Sequence, residues 1–507
     1  MLEKQLIKKL KKAPHIIIYG AGMVGELVYK RLAYYGLTHK ILCFAVTNQP
    51  MQSSYLGIPL RRLDELTVYN RTAVVVVAAL PKLHDEMRAL LVKYSFYNII
   101  LTKSVLYQSL SGNYIREFLK NKKDDREPVD VVLMASDNNS SSGAFLCMAD
   151  LGYELNAQGV RCRVILPEYG DGEKILIDRG IDYTYVPSEH WCIYKDDSRI
   201  IKILKLSQNR KAVKRLQKYF CRHNVQLIHN NTTYTYVGAV AAERERLPVV
   251  WHLRENIANQ SYDFMHREQA LKWINHSNRI IVISNYMARS IGGICDRKVK
   301  IIYDGVDIKR HYFPRTILEN KDRVTITMVG TIIEHKRQEE LLQAAVILKK
   351  EWPVQFQIRF VGKEEGSYIK KLKGIIERYQ LQDVACFLGK QDKVEEFYRM
   401  ADIAVMCSKD EAFGRTTVEA LLAGCLVIGA DSGATAELIQ DGATGMLYQP
   451  ENARDLAAHI IQAVKDPQAA RRIAKAGQER ARKIYSKENN ADEVIKVYQK
   501  ISGRKMG

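Results

Sequence analysis

No two of the nine cysteines stand in a C-x-x-C pair, which argues against a disulfide scaffold or a zinc site. Cysteines placed singly fit small buried residues in a reducing cytosol. Long apolar runs are missing too. The longest near the N-terminus, Ala73 to Leu80, falls far short of the roughly 20 residues a spanning helix needs. The opening MLEKQLIKKLKKAPH is basic but has no unbroken apolar core, so no signal peptide is expected and the protein is expected in the cytoplasm. RNA-binding, helix-turn-helix and zinc-finger spacings are absent, so nucleic acid is not an expected partner.

What is abundant is positive charge. Lys and Arg number 77 against 57 acids, a net +20, which favours phosphates or acidic headgroups as partners. The stretch RIIKILKLSQNRKAVKRLQKYFCRH, residues 199–223, holds no acid. Ile203, Leu206, Val213, Leu216 and Phe220 recur there at near-helical spacing, giving either an amphipathic basic helix for an anionic membrane face or the solvated outer helix of an α/β domain. Leu2, Leu6 and Leu10 among lysines add a little to the membrane reading.

At about 150 residues per domain, the 507 residues allow three domains. Short apolar strands alternate with helical patterns, which predicts α/β layers with parallel sheets. The first block, 1–110, carries expected strands at 15–19, 41–46 and 73–79. A polar linker, 111–128, ends at Pro128. The second block, 129–313, has expected strands at 129–135, 161–167, 225–229, 248–253 and 279–284. The third, 314–485, opens on a polar join at 314–323 and repeats VTITMVG, FQIRFVG, ACFLG, DIAVMC and CLVIGA; a charged helical tail, 486–507, follows. Two such halves in tandem create a cleft between the C-terminal edges of their sheets, where ligands of open α/β sheets bind.

The first block holds HIIIYGAGMVG, a strand running into Gly20, Gly22 and Gly25 in a G-x-G-x-x-G turn. Such a turn lets backbone approach a phosphate at the following helix N-terminus. A dinucleotide site also needs an acidic residue at the end of the next strand. That strand ends instead in Thr47 and Asn48.

In the third block CSKDEAFGRTTVEALLAGC places Glu411 in a loop, Gly414 beside it and Glu419 in the first turn of a helix starting near Thr416. Two carboxylates at one helix mouth suit the vicinal hydroxyls of a sugar and a ribose. T-T-V-E is equally a capping box that would occupy Thr416 and Glu419 with the helix end. After VTITMVG, which ends at Gly330, Lys336 and Arg337 are expected at a helix start. Positive charge there is unfavourable without an anion such as a diphosphate; a plain surface pair is the other reading.

In these motifs the third block resembles the donor half of the family 4 glycosyltransferases, retaining enzymes of the GT-B fold. The resemblance is carried by Glu411 and Glu419 in EAFGRTTVE, the glycine-to-lysine loop before it and GADSGATAELIQDGATGMLY after it. The second block is similar to their acceptor half through SSSGAF (140–145), VVWHLRE (249–255), the segment around Ser284 to Met287, and YDGVD (303–307). The resemblance covers roughly residues 129–500. It implies that Lys336, with Arg337 as helper, neutralises the leaving diphosphate. It implies that Glu419 holds the ribose and Glu411 the transferred sugar. Backbone amides of Phe413, Gly414, Arg415 and Thr416 would meet the sugar and phosphate, and Gly143 would admit the acceptor-side loop to the phosphates. Thr331 stands where relatives often carry a phosphate-binding Arg, which leaves more of that charge to Lys336. Arg254 falls near the position of an active-site His. No Asp-x-Asp is present, so a divalent cation is expected to be dispensable and no cofactor is required.

The first block is similar to the N-terminal nucleotide-binding domain of bacterial sugar O-acyltransferases, which implies an accessory Rossmann-like module preceding the GT-B pair. The reading that follows is a membrane-associating enzyme that moves a sugar, with retention, from a nucleotide-sugar to a cell-envelope polysaccharide or lipid-linked acceptor. Its rivals are an NAD(P)-dependent oxidoreductase working through the N-terminal turn, and a non-catalytic regulator that binds a nucleotide-sugar.

Overall fold

The computed structural model describes the chain apart from residues 1, 51, 80–82, 103, 123–125, 194–198, 256–262, 320–322, 352–354, 365, 392 and 504–507. Leu80, residues 123–125 of the expected linker, 320–322 of the second join and 504–507 of the tail therefore lie outside the described residues. The chain divides into two compact units. One comprises Met1–Asp125 with Asp137–Ser140 and Leu166–Lys174; the other comprises Arg126–Ser136, Ser141–Ile165 and Ile175–Gly507.

The first unit is built on a six-stranded sheet in the order Ser54–Tyr55, Ile58–Arg62, Ile41–Val46, His15–Tyr19, Ala73–Val77, Ile99–Leu101. Its central strands HIIIY and AVVVV are Ile- and Val-rich and almost wholly buried, as a parallel strand covered on both faces requires. The helix Met23–Tyr34 follows the first strand and packs on the helix Ser104–Asn121, with Arg31 ion-paired to Glu117. The segment expected as a linker from 111 is thus helical through Asn121, its apolar positions finding a partner that its polar composition concealed. The helix Leu2–Lys12 also packs here. Leu10 is fully buried, Ile7 nearly so and Leu6 half-buried, so Leu10, one of the leucines read as facing a membrane, is spent on this unit's core.

The second unit contains two parallel sheets. Seven strands form the first, ordered Val299–Ile301, Arg279–Val282, Val249–Leu253, Leu227–Asn231, Val131–Met134, Cys162–Leu166, Tyr183–Tyr185. Six form the second, ordered Ala385–Phe387, Gln355–Val361, Arg323–Val329, Ile403–Met406, Leu426–Ala430, Met446–Tyr448. Each expected strand of these halves is present within a few residues of its predicted place. The C-terminal helix Lys487–Ser502 is no free tail. It returns to the first half, packs on the helix Gly143–Ala157 and buries Val494, Ile495, Val497 and Tyr498. Its apolar spacing at 491, 494, 495 and 498 is that of a packed helix.

The basic helix Arg199–Arg222 divides along its length. Val213, Leu216 and Phe220 are buried in the core, whereas Ile203 and Leu204 near its start are 58% and 62% exposed. Among the described residues no helix is long and apolar enough to cross a membrane.

Candidate active site

Glu411 and Lys336 meet at the C-terminal edge of the second sheet. Lys336 closes a 3-10 turn, Glu334–Lys336, and Arg337 follows in the left-handed region (φ 56°) before the helix Gln338–Glu351 begins. The two basic residues therefore precede that helix instead of opening it. The Lys336 stem passes over Gly330, where a Cβ would lie 4.0 Å from Lys336 Cδ and Cε. Its ammonium reaches Glu411 Oε2 at 2.5 Å. Burial raises the Glu411 pKa, but Lys336, with Ser408 and His335, outweighs it and holds the carboxyl below the usual range. Arg337 turns elsewhere, to Glu340 (2.9 Å) and Glu451 (3.1 Å). Thr331 contributes its carbonyl, which accepts from buried Gln338 at 2.9 Å.

The loop bearing Glu411 is shaped by Gly414, whose φ of 91° an L side chain rarely adopts. A Cβ there would lie 2.9 Å from Thr417 Oγ1 and 3.2 Å from Glu411 Cγ. Gly414 is also the N-cap of the helix Arg415–Leu422, and no side chain caps that end. The capping-box reading of Thr416 and Glu419 therefore fails, and the first amides of the helix lack an intrahelical partner. Glu419 instead accepts from Arg415 Nε at 3.0 Å and lies 3.9 Å from His311 Nε2. Thr416 offers its carbonyl to Tyr398 OH at 3.1 Å. The Phe413 ring is core, near Tyr303 and Tyr485, so only its backbone faces the loop. From behind, the Gly433 turn braces Glu411: Ala434 N donates to Glu411 O at 2.8 Å.

The first half reaches this loop directly. Ser284 Oγ donates to Ala412 O at 2.6 Å, and Tyr286 OH to Asp410 at 3.1 Å. Glu437 crosses in the other direction. It accepts from the backbone amides of Asn285 (3.0 Å) and Tyr286 (3.1 Å) and from Tyr303 OH (2.7 Å). Its negative charge lies at the N-terminus of the helix Asn285–Ser290, where it is favoured.

Arg254 is buried, bonded to Asn231 Oδ1 at 2.7 Å and ion-paired to Asp304. Behind it His252 Nδ1 stands 3.2 Å from His229 Nε2, and His229 Nδ1 stands 2.7 Å from Tyr498 OH. Burial, with Arg254 adding to it, pushes His229 down to about 3. Gly143 opens the helix Gly143–Ala157 with free space at its Cβ position, and Ser142 caps that helix by accepting from Phe145 N.

In the first unit the three turn glycines differ. A Cβ on Gly20 would lie 2.4 Å from Ala78 O, and one on Gly25 would lie 2.1 Å from Gly20 O. Both are therefore demanded by close packing. Gly22 alone faces open space.

Sequence reasoning placed Lys336, Glu411, Gly414 and Glu419 together and missed Asp150, Asp304, Glu437 and the Ser284 hydroxyl. Glu437 lay inside a quoted motif, but nothing in the motif says that its partner is on the other half. Asp150 lay in none.

Family models cover both halves of the second unit. Residues 310–480 match the model of the glycosyl transferases group 1, and residues 141–310 match that of glycosyltransferase family 4. The N-acetyl-alpha-D-glucosaminyl L-malate synthase of Bacillus anthracis is 28% identical over 213 residues, which are 41% of this chain and 54% of that protein. A lipopolysaccharide core biosynthesis mannosyltransferase of Rhizobium leguminosarum is 27% identical over 215 residues, 40% of this chain and 60% of that one. Each match spans under two thirds of the relative's own length. The structure of Anabaena HepE with UDP and glucose superposes at a TM-score of 0.61 and 22% identity, covering 73% of this chain and all of that one, so the two share a fold.

Proposed function

Because the chain belongs to the family 4 and group 1 glycosyltransferases of the GT-B fold, we propose that it transfers a sugar with retention from a nucleotide-sugar to a cell-envelope polysaccharide or lipid-linked acceptor, without a metal ion. The observation that carries the reading is the Lys336–Glu411 pair, held at 2.5 Å beside an uncapped helix N-terminus.

Breaking an anomeric bond leaves an oxocarbenium-like sugar and an anionic nucleotide, so a fixed cation at the leaving group lowers the barrier. Without donor, Lys336 is neutralised by Glu411. A bound diphosphate draws the ammonium to itself and frees Glu411 to accept from sugar hydroxyls. Glu419 accepts from the ribose, and the amides from Phe413 to Thr416 meet the donor at the positive end of the helix. Arg337, tied to Glu340 and Glu451, acts at longer range. Arg254 holds the end of its strand to the Asp304 loop on the acceptor side. UDP in the Anabaena structure makes uridine sugars the first donors to test, and the Rhizobium relative's name supports an envelope acceptor.

A thermal-shift screen over UDP-, GDP- and ADP-sugars, followed by mass spectrometry of products, tests the transfer. Stabilisation by a nucleotide-sugar together with a glycosylated product supports the reading; reduction of NAD(P) with no sugar transfer sinks it. Membrane association rests on the exposed Ile203 and Leu204 among basic residues. Flotation with anionic vesicles at low salt is expected, and its absence refutes that part. The open Gly22 turn fits an accessory nucleotide or nucleotide-sugar site in the first unit.

A further inference from the structure

Asp150 lies on the helix Gly143–Ala157 of the first half and is 4% exposed. Its Oδ2 accepts from Arg415 Nη1 at 2.9 Å, and its Oδ1 pairs with Arg179 Nη2 at 2.9 Å. Arg415 belongs to the second half, as the first residue of the helix Arg415–Leu422. Its Nε donates to Glu419 Oε1 at 3.0 Å, one turn along the same helix. Cys147 Sγ packs against the same guanidinium, 3.4 Å from Nη1. A carboxylate, a guanidinium and a second carboxylate thus form a chain that starts on the acceptor-side half and ends at Glu419.

A guanidinium is a rigid planar fork, so fixing one edge fixes the direction of the other. With Nη1 held by Asp150, the single Nε proton is directed to one Glu419 oxygen. Oε1 takes that bond, and Oε2 accepts none among the described residues. A carboxylate oxygen with its lone pairs unused is what a ribose hydroxyl requires. Without Asp150, Arg415 would be free to swing and to satisfy either oxygen of Glu419.

We infer that Asp150 and Arg415 are positioning residues for the donor: Asp150, on the half opposite the nucleotide, orients Glu419 toward the ribose through Arg415. The inference rests on the assignment of the ribose to Glu419. It makes donor affinity depend on the relation between the halves, because the chain is complete only where the two helices meet.

The test is titration calorimetry of UDP, GDP and ADP, each beside its 2′,3′-dideoxy form, into the full chain and its Asp150→Asn, Arg415→Lys and Glu419→Gln variants, with folding followed by circular dichroism. For the nucleotide that binds the natural protein best, Asp150→Asn is expected to weaken the ribose form about tenfold. The dideoxy form should bind that variant and the natural protein alike. Arg415→Lys keeps the charge, loses the fork and should show the same selective loss, which covers the case of an unfolded Asp150→Asn. Unchanged ribose affinity in a folded variant, or equal losses for both forms, overturns the inference. Glu419→Gln binding the ribose form normally would instead remove the ribose assignment, as would failure of all three nucleotides to bind the natural protein.

Discussion

Two opposed forces act on Glu411: burial favours its neutral form, and Lys336 favours its charge. Lys336 prevails, so the carboxylate stays ionised down through pH values below the ordinary glutamate value of about 4.3. The stability it contributes is present above that value and is lost only as pH falls through its lowered native pKa. In Lys336→Met only Ser408 and His335 still oppose burial, and Glu411 should titrate above its ordinary value. Carboxyl NMR across a pH series reads the change; a midpoint still below about 4.3 would show that other groups hold the charge. The two residues were legible in the sequence one by one, Lys336 as a cation expected at an unfavourable helix start and Glu411 as a carboxylate with no capping role, but their direct ion pair was not. Asp150 and Glu437 were not legible. Each gains its meaning from a partner more than a hundred residues away, and no local periodicity encodes which loop faces which.

Elements owe their position to a few anchoring contacts. The helix Arg415–Leu422 starts where it does because Gly414 turns the chain at φ 91°. Gly414→Ala should destabilise the protein by about 1 to 2 kcal/mol through left-handed strain and displace Glu411, lowering both melting temperature and donor affinity. Normal donor affinity in that variant would mean the loop tolerates another path. The helix Lys487–Ser502 shows the limit of reading by composition. Its charged residues suggested a tail, yet Tyr498 is fully buried with its hydroxyl 2.7 Å from His229. Tyr498→Phe leaves that imidazole nitrogen without its partner and should cost about 1 to 3 kcal/mol in urea unfolding. The basic helix Arg199–Arg222 was read correctly in period, but only Val213, Leu216 and Phe220 of its apolar stripe are buried in a core.

For the molecule as a whole, two parallel sheets joined in tandem were visible in the strand rhythm, because strands buried on both faces need unbroken apolar runs. How the halves are fastened was not visible. Neutral His229 links the folded state to pH. Its native pKa is about 3 and its unfolded value about 6.5, so the unfolded chain takes up a proton that the native chain refuses. Stability is therefore lost as pH falls below about 6.5, by about 2 kcal/mol at pH 5 for this one group. Urea midpoints at pH 7 and pH 5 should differ accordingly, and His229→Gln should narrow the gap; an unaltered gap would assign the acid sensitivity to other residues. Sugar transfer with Lys336 in place of a metal is tested by nucleotide release from the preferred nucleotide-sugar in EDTA, comparing the natural protein with Lys336→Ala. The natural protein should keep its rate and the variant should fall about a hundredfold or more. A variant that turns over at nearly the natural rate, or a natural protein silenced by EDTA, would contradict the account.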